Sequence, residues 1–317
     1  MRAPAFWYHR AALKAGLLSP FSLVFCVGGL LRRAFAKPYE AKIPVICVGN
    51  IVAGGAGKTP TALALAELLK QNGAKPVFVT RGYGGSEAGP LEVQSHHTAS
   101  QVGDEALLLT RAAPTIVGRD RAAAVKLAES KGTHIILDDG LQNPHVKPTV
   151  SFLVIDGEIG LGNGHIIPAG PLRETLNCAE KRVAAIIIIG SRDNQDIASR
   201  ATVPVLHAHL KSNLPANFPQ DEKFYAFAGI ARPEKFFKSC AKSCITLAGT
   251  QEFDDHHEFS DDELAELENT AATQGARLLT TEKDWVRLPP TMREKVVTLP
   301  VRLSFDEPDA VKQYLSI

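Results

Sequence analysis

The chain has 317 residues, 45% hydrophobic and 22% charged, with 35 Lys and Arg against 34 Asp and Glu for a formal charge of +1. This balance excludes a disordered or collagen-like chain and a globally basic nucleic-acid binder, so no nucleic-acid partner is expected, and the length suits one large or two medium domains. The five cysteines, Cys26, Cys47, Cys178, Cys240 and Cys244, are odd in number and form no CxxC, which argues against a disulfide framework or zinc ribbon and for a reducing compartment.

The first element is out of character with the rest. Ala15 to Leu31 (AGLLSPFSLVFCVGGLL) carry no charge, with Phe6, Trp7 and Tyr8 before them and Arg32 and Arg33 closing the run. A spanning helix needs about 20 apolar residues, and Ser19, Pro20 and Ser22 interrupt this shorter stretch. The expectation is an interfacial helix or helical hairpin, with the aromatics at headgroup level and the arginines toward anionic lipid. A buried core helix is the alternative. A cleaved signal is disfavoured because the two arginines separate the apolar run from the Ala34-Phe35-Ala36 site.

From there short apolar runs alternate with helical stretches. Ile43–Val48, Pro76–Thr80, Thr115–Val117, His134–Leu137, Val150–Ile155, Ala184–Ile189 and Val203–His207 read as strands, most of them continuously apolar as strands buried on both faces are. Lys58–Asn72, Asp104–Ala113, Asp120–Ser130 and Glu174–Lys181 read as helices. The sum is an α/β fold with a mainly parallel sheet covered on both sides. Asn213–Pro219 (NLPANFP) reads as a boundary. Beyond it Phe224–Ile230, Ile245–Leu247, Arg277–Leu279 and Val296–Leu303 read as strands, and Pro233–Cys240 and Asp261–Thr273 as helices, giving a second, smaller α/β domain. The expected organisation is a membrane-associated segment over 1–40, a nucleotide-binding core over 41–215 and a C-terminal domain over 220–317 whose last residues can return to the core.

The strongest chemical signal is Gly54-Gly55-Ala56-Gly57-Lys58-Thr59-Pro60, set between an apolar strand and an Ala/Leu-rich helix. Glycines there let backbone N–H groups wrap phosphate, the helix N-terminus adds its dipole, Lys58 reaches the β- and γ-phosphates, and the Thr59 hydroxyl can ligate Mg2+. The strict GxxxxGK[ST] pattern would put its first glycine at Val52, so this is a variant P-loop. Its GGxGKT core resembles the class in which a signature lysine precedes the glycines, but Ala53 stands in that place. A purely structural Gly-rich turn would not require the Lys-Thr pair. The strand His134–Leu137 runs into Asp138-Asp139-Gly140, where a carboxylate at a strand end beside a P-loop holds Mg2+ or its waters. Thr59, Asp138, Asp139 and Glu105 are the candidate metal ligands, with the choice between the two aspartates left open.

Three further clusters stand out. Thr80-Arg81-Gly82-Tyr83-Gly84-Gly85 ends a strand and supplies a cation and an aromatic for an anionic or sugar-like group, or is a flexible loop. Gly103-Asp104-Glu105 opens a helix, where Asp104 could serve as a cap alone. Asp254-Asp255-His256-His257-Glu258 is a conceivable metal site without a second Cys/His cluster at ligand spacing.

Together these stretches resemble the tetraacyldisaccharide 4′-kinase family, the lipid A kinases of Gram-negative bacteria, over essentially the whole chain. The resemblance is carried by the aromatic and apolar N-terminal helix and by VGNIVAGGAGKTP (48–60), TRGYGG (80–85), GDEALLL (103–109), DDGLQN (138–143), DGEIGLGNGHIIPAGPLRE (156–174), FAGIARPEKFF (227–237), DDHHEF (254–259) and TTEKDWVRL (280–288). It implies Mg2+-dependent transfer of the γ-phosphate of ATP to the 4′-hydroxyl of a tetraacylated disaccharide 1-phosphate, a lipid substrate, at the cytoplasmic face of the inner membrane, by a protein expected to be a monomer. It implies that Asp104 and His256 form a catalytic dyad, with Lys58 acting on the transferred group and His257 as a rival to His256. Arg81, Tyr83, Arg119, Arg173 and Glu174 lie in or near matching stretches and are implied contacts of phosphate and acceptor. The competing readings are a membrane-attached P-loop ATPase or GTPase switch, which lacks its lysine at Ala53, and a metal-insertion GTPase. Thr281-Glu282-Lys283-Asp284 has the letters of a guanine-reading motif in the wrong order.

Overall fold

The computed structural model describes residues 4–8, 13–190 and 195–315. Its core is a nine-stranded sheet built from β1 (Val45–Gly49), β2 (Pro76–Thr80), β3 (Leu91–Glu92), β4 (Thr115–Val117), β5 (His134–Asp138), β6 (Val150–Asp156), β7 (Ala185–Ile189), β8 (Val205–Ser212) and the late strand β13 (Val301–Phe305), in the order β13-β8-β7-β6-β1-β5-β2-β4-β3. All pairings are parallel except at the two edges, β3 with β4 and β13 with β8. A second, parallel sheet has the order β10-β9-β11-β12, from β9 (Lys223–Ala228), β10 (Thr246–Glu252), β11 (Arg277–Thr281) and β12 (Val297–Leu299).

Alternate residues of the large sheet feed its two faces, as the two-residue period of a strand dictates. Val45, Cys47, Val77, Val79, Ile135, Leu137, Leu153 and Ile186 pack with Ala124, Val125 and Ala128 of helix Arg121–Ala128. Ile46, Val48, Phe78, Ile136, Phe152, Val154 and Ile187 pack with Leu65 and Leu69 of helix Lys58–Gln71. Each such fully buried side chain stabilises the fold by roughly 1.5–3 kcal/mol, which is why these strands read as unbroken apolar runs. The small sheet is covered by Phe236 and Cys240 on one face and by Leu264, Leu267 and Ala271 on the other.

Three expectations change. Val296–Leu303, read as one strand, is two strands in different sheets, because Pro300 has no N–H for the ladder and the chain leaves the small sheet there for the large one. The strand read as Val203–His207 runs on to Ser212, where antiparallel pairing with β13 carries it past the apolar stretch. Ile245–Leu247 becomes β10, Thr246–Glu252, an edge strand of alternating burial.

The N-terminal helix, Leu13–Ala34, is a single 22-residue helix with Pro20 inside, neither a hairpin nor a core helix. Only Ala15 is buried on it, while Leu13, Leu17, Phe21, Leu23, Val24, Phe25, Leu30 and Leu31 are exposed. Ala15, Leu18, Ser19, Ser22, Cys26, Gly29 and Arg33 are less exposed and recur at three- and four-residue spacing, so the stripe of mostly small residues faces the protein and the bulky apolar side chains face away. Ser22 Oγ donates to the Ile166 carbonyl at 2.7 Å, and Arg33 Nη1 reaches Glu174 Oε2 at 3.0 Å. By length and composition this helix could cross a membrane.

Candidate active site

The site lies at the carboxyl ends of the parallel strands, where an open α/β sheet gathers ligands. β1 ends at Gly49, and the chain turns through Gly54–Gly57 into helix Lys58–Gln71. Gly57 has φ +85°, and a Cβ there would lie 2.5 Å from Ile189 Cδ1, so the turn requires glycine. The loop's lead-in is braced from a long excursion after β6: Ala53 N donates to the Pro171 carbonyl at 2.8 Å and Arg173 N to the Ile51 carbonyl at 2.7 Å. Gly54, Gly55 and Ala56 border a cavity of about 650 Å³ whose far wall includes Ile230, Arg232 and Asp255, with Trp7 and Tyr8 at its side.

Val48 of β1 and Asp138 of β5 are register partners, which sets the P-loop beside Asp138. Thr59 Oγ1 donates to Asp138 Oδ2 at 3.0 Å, while Asp138 Oδ1 is buried without a hydrogen-bond partner. Burial, and next the nearby charge of Glu105, push the Asp138 carboxyl up to about 7. Asp139 has a left-handed backbone, φ 58°. Lys58 Nζ lies 3.7 Å and Arg173 Nη1 3.3 Å from its carboxylate. Burial raises the Asp139 pKa most strongly of any single influence, yet Lys58 and Arg173 together hold it below the ordinary carboxylate value. Lys58 also reaches Asn50 Oδ1 at 3.4 Å. An unpartnered buried carboxylate oxygen beside a hydroxyl and a second carboxylate fits a divalent cation completed by phosphate and water oxygens. Among the described residues no three His, Cys, Asp or Glu side chains gather into a metal cage of their own.

Asp104 and His256 come together from the two sheets. Gly103, φ +85°, allows helix Asp104–Thr110 to start against the loop after β2, since a Cβ there would lie 2.5 Å from the Tyr83 carbonyl. Asp104 is only 3% exposed. Its Oδ1 accepts from Glu105 N at 2.9 Å. Around Oδ2 stand His256 Nδ1 at 3.0 Å, Arg287 Nε at 3.6 Å and Lys283 Nζ at 3.8 Å, none aligned as a full hydrogen bond. Burial works to raise the Asp104 pKa, but these three cations and donors outweigh it and keep the carboxyl below its usual range. His256 has φ 60°, and its ring centroid lies 5.5 Å from that of Tyr83. Its neighbour His257 turns away, with Nε2 3.0 Å from Glu263 Oε1 and its ring stacked on Phe253. The geometry therefore separates the two histidines.

The remaining candidates are divided. Tyr83, 65% exposed, borders the dyad from the loop after β2, and Arg81 is exposed in the same loop. Arg119 Nη2 donates to the Ser86 carbonyl at 3.3 Å, bracing that loop from behind. Glu105 Oε1 lies 3.8 Å from Lys283 Nζ. Glu174 is buried and occupied by Arg33, Arg182 and Gln142, which makes it an anchor for the N-terminal helix. Pro60 sits in the first turn of the P-loop helix, where its missing N–H is not needed. Sequence reasoning did not single out Lys283, Arg287, Asn50 or Arg182. Lys283 stands among the misordered guanine-motif letters of 281–284, yet a lysine just beyond the end of β11 carries the same positional signal as Arg81 after β2.

Similarity to known proteins agrees with this arrangement. A family model for tetraacyldisaccharide-1-P 4′-kinase matches residues 14–316. The tetraacyldisaccharide 4′-kinase of Methylobacterium nodulans is 47% identical over 98% of this chain and 94% of its own length. That of Bradyrhizobium diazoefficiens is 43% identical over 100% of this chain and 96% of its own. The crystal structure of LpxK from Aquifex aeolicus in complex with ATP superposes with a TM-score of 0.78 at 24% identity, covering 95% of this chain and 98% of that one, which establishes the fold. Matched along nearly all of its length by the family model and by relatives 43–47% identical, the chain belongs to the tetraacyldisaccharide 4′-kinase family, the kinases of lipid A biosynthesis.

Proposed function

We propose that the chain transfers the γ-phosphate of ATP to the 4′-hydroxyl of tetraacyldisaccharide 1-phosphate with Asp104 as the base. The observation that carries this is the 3.0 Å approach of His256 Nδ1 to the buried Asp104 Oδ2, from a different sheet. A sugar hydroxyl gives up its proton only as the new P–O bond forms, so a carboxylate held ionised beside it can receive that proton. His256 orients Asp104 and stabilises its charge. Lys58 moves from Asn50 and Asp139 to the phosphates, and the P-loop N–H groups cradle them. Thr59 and Asp138, with Asp139 and Glu105 nearby, would hold Mg2+, which neutralises charge on the transferred phosphoryl group. Arg81, Tyr83 and Arg173 contribute to the acceptor and phosphate pocket.

In this reading residues 1–40 attach the protein to the cytoplasmic face of the inner membrane, 41–215 bind nucleotide and 220–317 deliver His256. The exposed bulky face of helix Leu13–Ala34 supports attachment. Both members of the dyad come from one chain, which suits a monomer. The test is transfer of labelled γ-phosphate from ATP to purified acceptor in detergent micelles. Acceptor-dependent labelling is expected, and lipid-independent GTP hydrolysis without labelling would replace the kinase by a membrane-attached switch.

A further inference from the structure

Three side chains around His256 belong to neither the P-loop nor the acceptor loop: Asp255, Lys283 and Arg287. Lys283 Nζ lies 3.3 Å from His256 Nε2. Thr281 caps the short helix Glu282–Trp285 that carries it, through an Oγ1 that accepts from Asp284 N at 3.0 Å. The ammonium is also held within 3.8 Å of Asp104 and Glu105 and 4.0 Å of Asp255, so it is enclosed by three carboxylates. Arg287 fixes the base of the cluster, with Nη2 on Asp284 and the Gly229 carbonyl and Nη1 on the His257 carbonyl.

The chemistry of these donors limits the imidazole. A lysine ammonium has three donors and no acceptor, so a short contact with a ring nitrogen requires that nitrogen to offer its lone pair. The neutral ring then carries its proton on the other nitrogen. Asp255 Oδ2 lies 3.9 Å from Nε2, beyond hydrogen-bond reach and farther than the ammonium. The Tyr83 ring lies 5.5 Å from the imidazole, centroid to centroid, at an interplanar angle of 59°.

We propose that Lys283 is a positioning residue of the phosphoryl-transfer site, whose ammonium occupies Nε2 of His256 and so holds the ring in the tautomer with its proton on Nδ1, the nitrogen that lies beside Asp104. The proposal rests on the dyad reading above and deepens it. With Nε2 occupied and Nδ1 protonated, the neutral ring has no free lone pair for the acceptor's proton. Proton acceptance then falls to Asp104 alone, and the imidazole places a polar N–H beside the carboxylate, where it stabilises the negative charge.

Long-range proton–nitrogen correlation of the full chain labelled with ¹⁵N-histidine, in detergent micelles at about pH 8, above the ordinary imidazole range, reads the tautomer directly. Loss of a signal in His256→Gln assigns it. The expected wild-type pattern is a protonated Nδ1 and an unprotonated Nε2. Lys283→Met should release the ring to the Nε2–H form or a mixture and lower kcat roughly tenfold or more with the KM for ATP little changed, while Lys283→Arg should restore the tautomer and most of the rate. A wild-type Nε2–H ring, or an unchanged spectrum in Lys283→Met, overturns the proposal. Should Lys283→Met fail to fold, Lys283→Leu, which also lacks a donor, replaces it, and the wild-type spectrum alone still decides. Failure of the dyad reading is seen separately, as full turnover in Asp104→Asn, and leaves the tautomer measurable.

Discussion

At the scale of single residues, the site depends on a few groups held in unusual states. Asp104→Asn keeps an oxygen for Glu105 N but removes the basic carboxylate, so kcat should collapse by roughly 10²–10⁴ with little change in melting temperature. His256→Ala should also depress kcat, and the double variant should lose much less than the product of the two single losses, as groups acting together do. Fully multiplicative losses in steady-state assays would separate the pair. Lys58→Ala and Thr59→Ala should abolish transfer with the circular dichroism spectrum intact, since both point into the site from a helix packed by Leu65 and Leu69. Asp138 carries a pH prediction. Burial, and then Glu105, hold its pKa near 7, so the free enzyme is partly protonated there at neutral pH. Metal binding needs the carboxylate, so it should expel a proton, and affinity for Mg2+ with ATP should rise with pH and level off above about 7. Calorimetry in two buffers of different ionisation enthalpy reads that proton; no buffer dependence would remove Asp138 from the metal site.

At the scale of elements, legibility followed burial. Strands flanked by helices on both faces announced themselves as apolar runs, and the Gly-rich turn after Val48 named its own chemistry. Edge strands did not. β10 alternates exposed and half-buried residues, and the division at Pro300 depends on which sheet each half joins. The charges around Asp104 were legible only in part, because Lys283 and Arg287 gain meaning from a contact with a helix about 180 positions earlier, which no local pattern carries. Glu174 shows the converse, a residue in a matching stretch whose partners, Arg33 and Arg182, make it an anchor. The N-terminal helix carries the prediction at this scale. Leu17, Phe21 and Val24 are exposed and touch no core, so changing all three to Ser should leave the melting temperature nearly unchanged. Release from lipid should follow, because each bulky side chain buried in a bilayer contributes about 1.5–3 kcal/mol. Vesicle sedimentation measures this, and unchanged binding would move attachment elsewhere.

For the whole molecule, the functional geometry is a meeting of two sheets tied on both sides of the site. Arg302 of β13 bridges to Glu282, just past β11, at 2.6 Å. On the nucleotide side Arg232 Nη1 reaches Asp156 at the end of β6 at 3.2 Å and Nη2 reaches Glu158 at 2.7 Å, while Lys235 Nζ reaches Asp156 at 2.7 Å. These partly exposed pairs stabilise by only about 0.5–1 kcal/mol each, enough to bias the approach of one sheet to the other without locking it. Arg232→Ala should therefore cost little in melting temperature and raise the KM for ATP several-fold, because the cluster borders the cavity beside Gly54–Ala56. Kinetics unchanged at low and high salt would show that the tie has no part in nucleotide binding.

The left-handed backbone at His256 has a practical consequence. A β-carbon is disfavoured at φ 60°, so removing it relaxes the chain instead of straining it. Glycine, not alanine, is thus the least disruptive way to delete this side chain, and His256→Gly leaves a ring-sized vacancy bordered by Asp104, Tyr83 and Lys283. Free imidazole has the shape and donors to occupy that vacancy. Chemical rescue of His256→Gly by added imidazole, with N-methylimidazole failing because it cannot both donate to Asp104 and accept from Lys283, would turn a backbone angle into a chemical handle on the reaction.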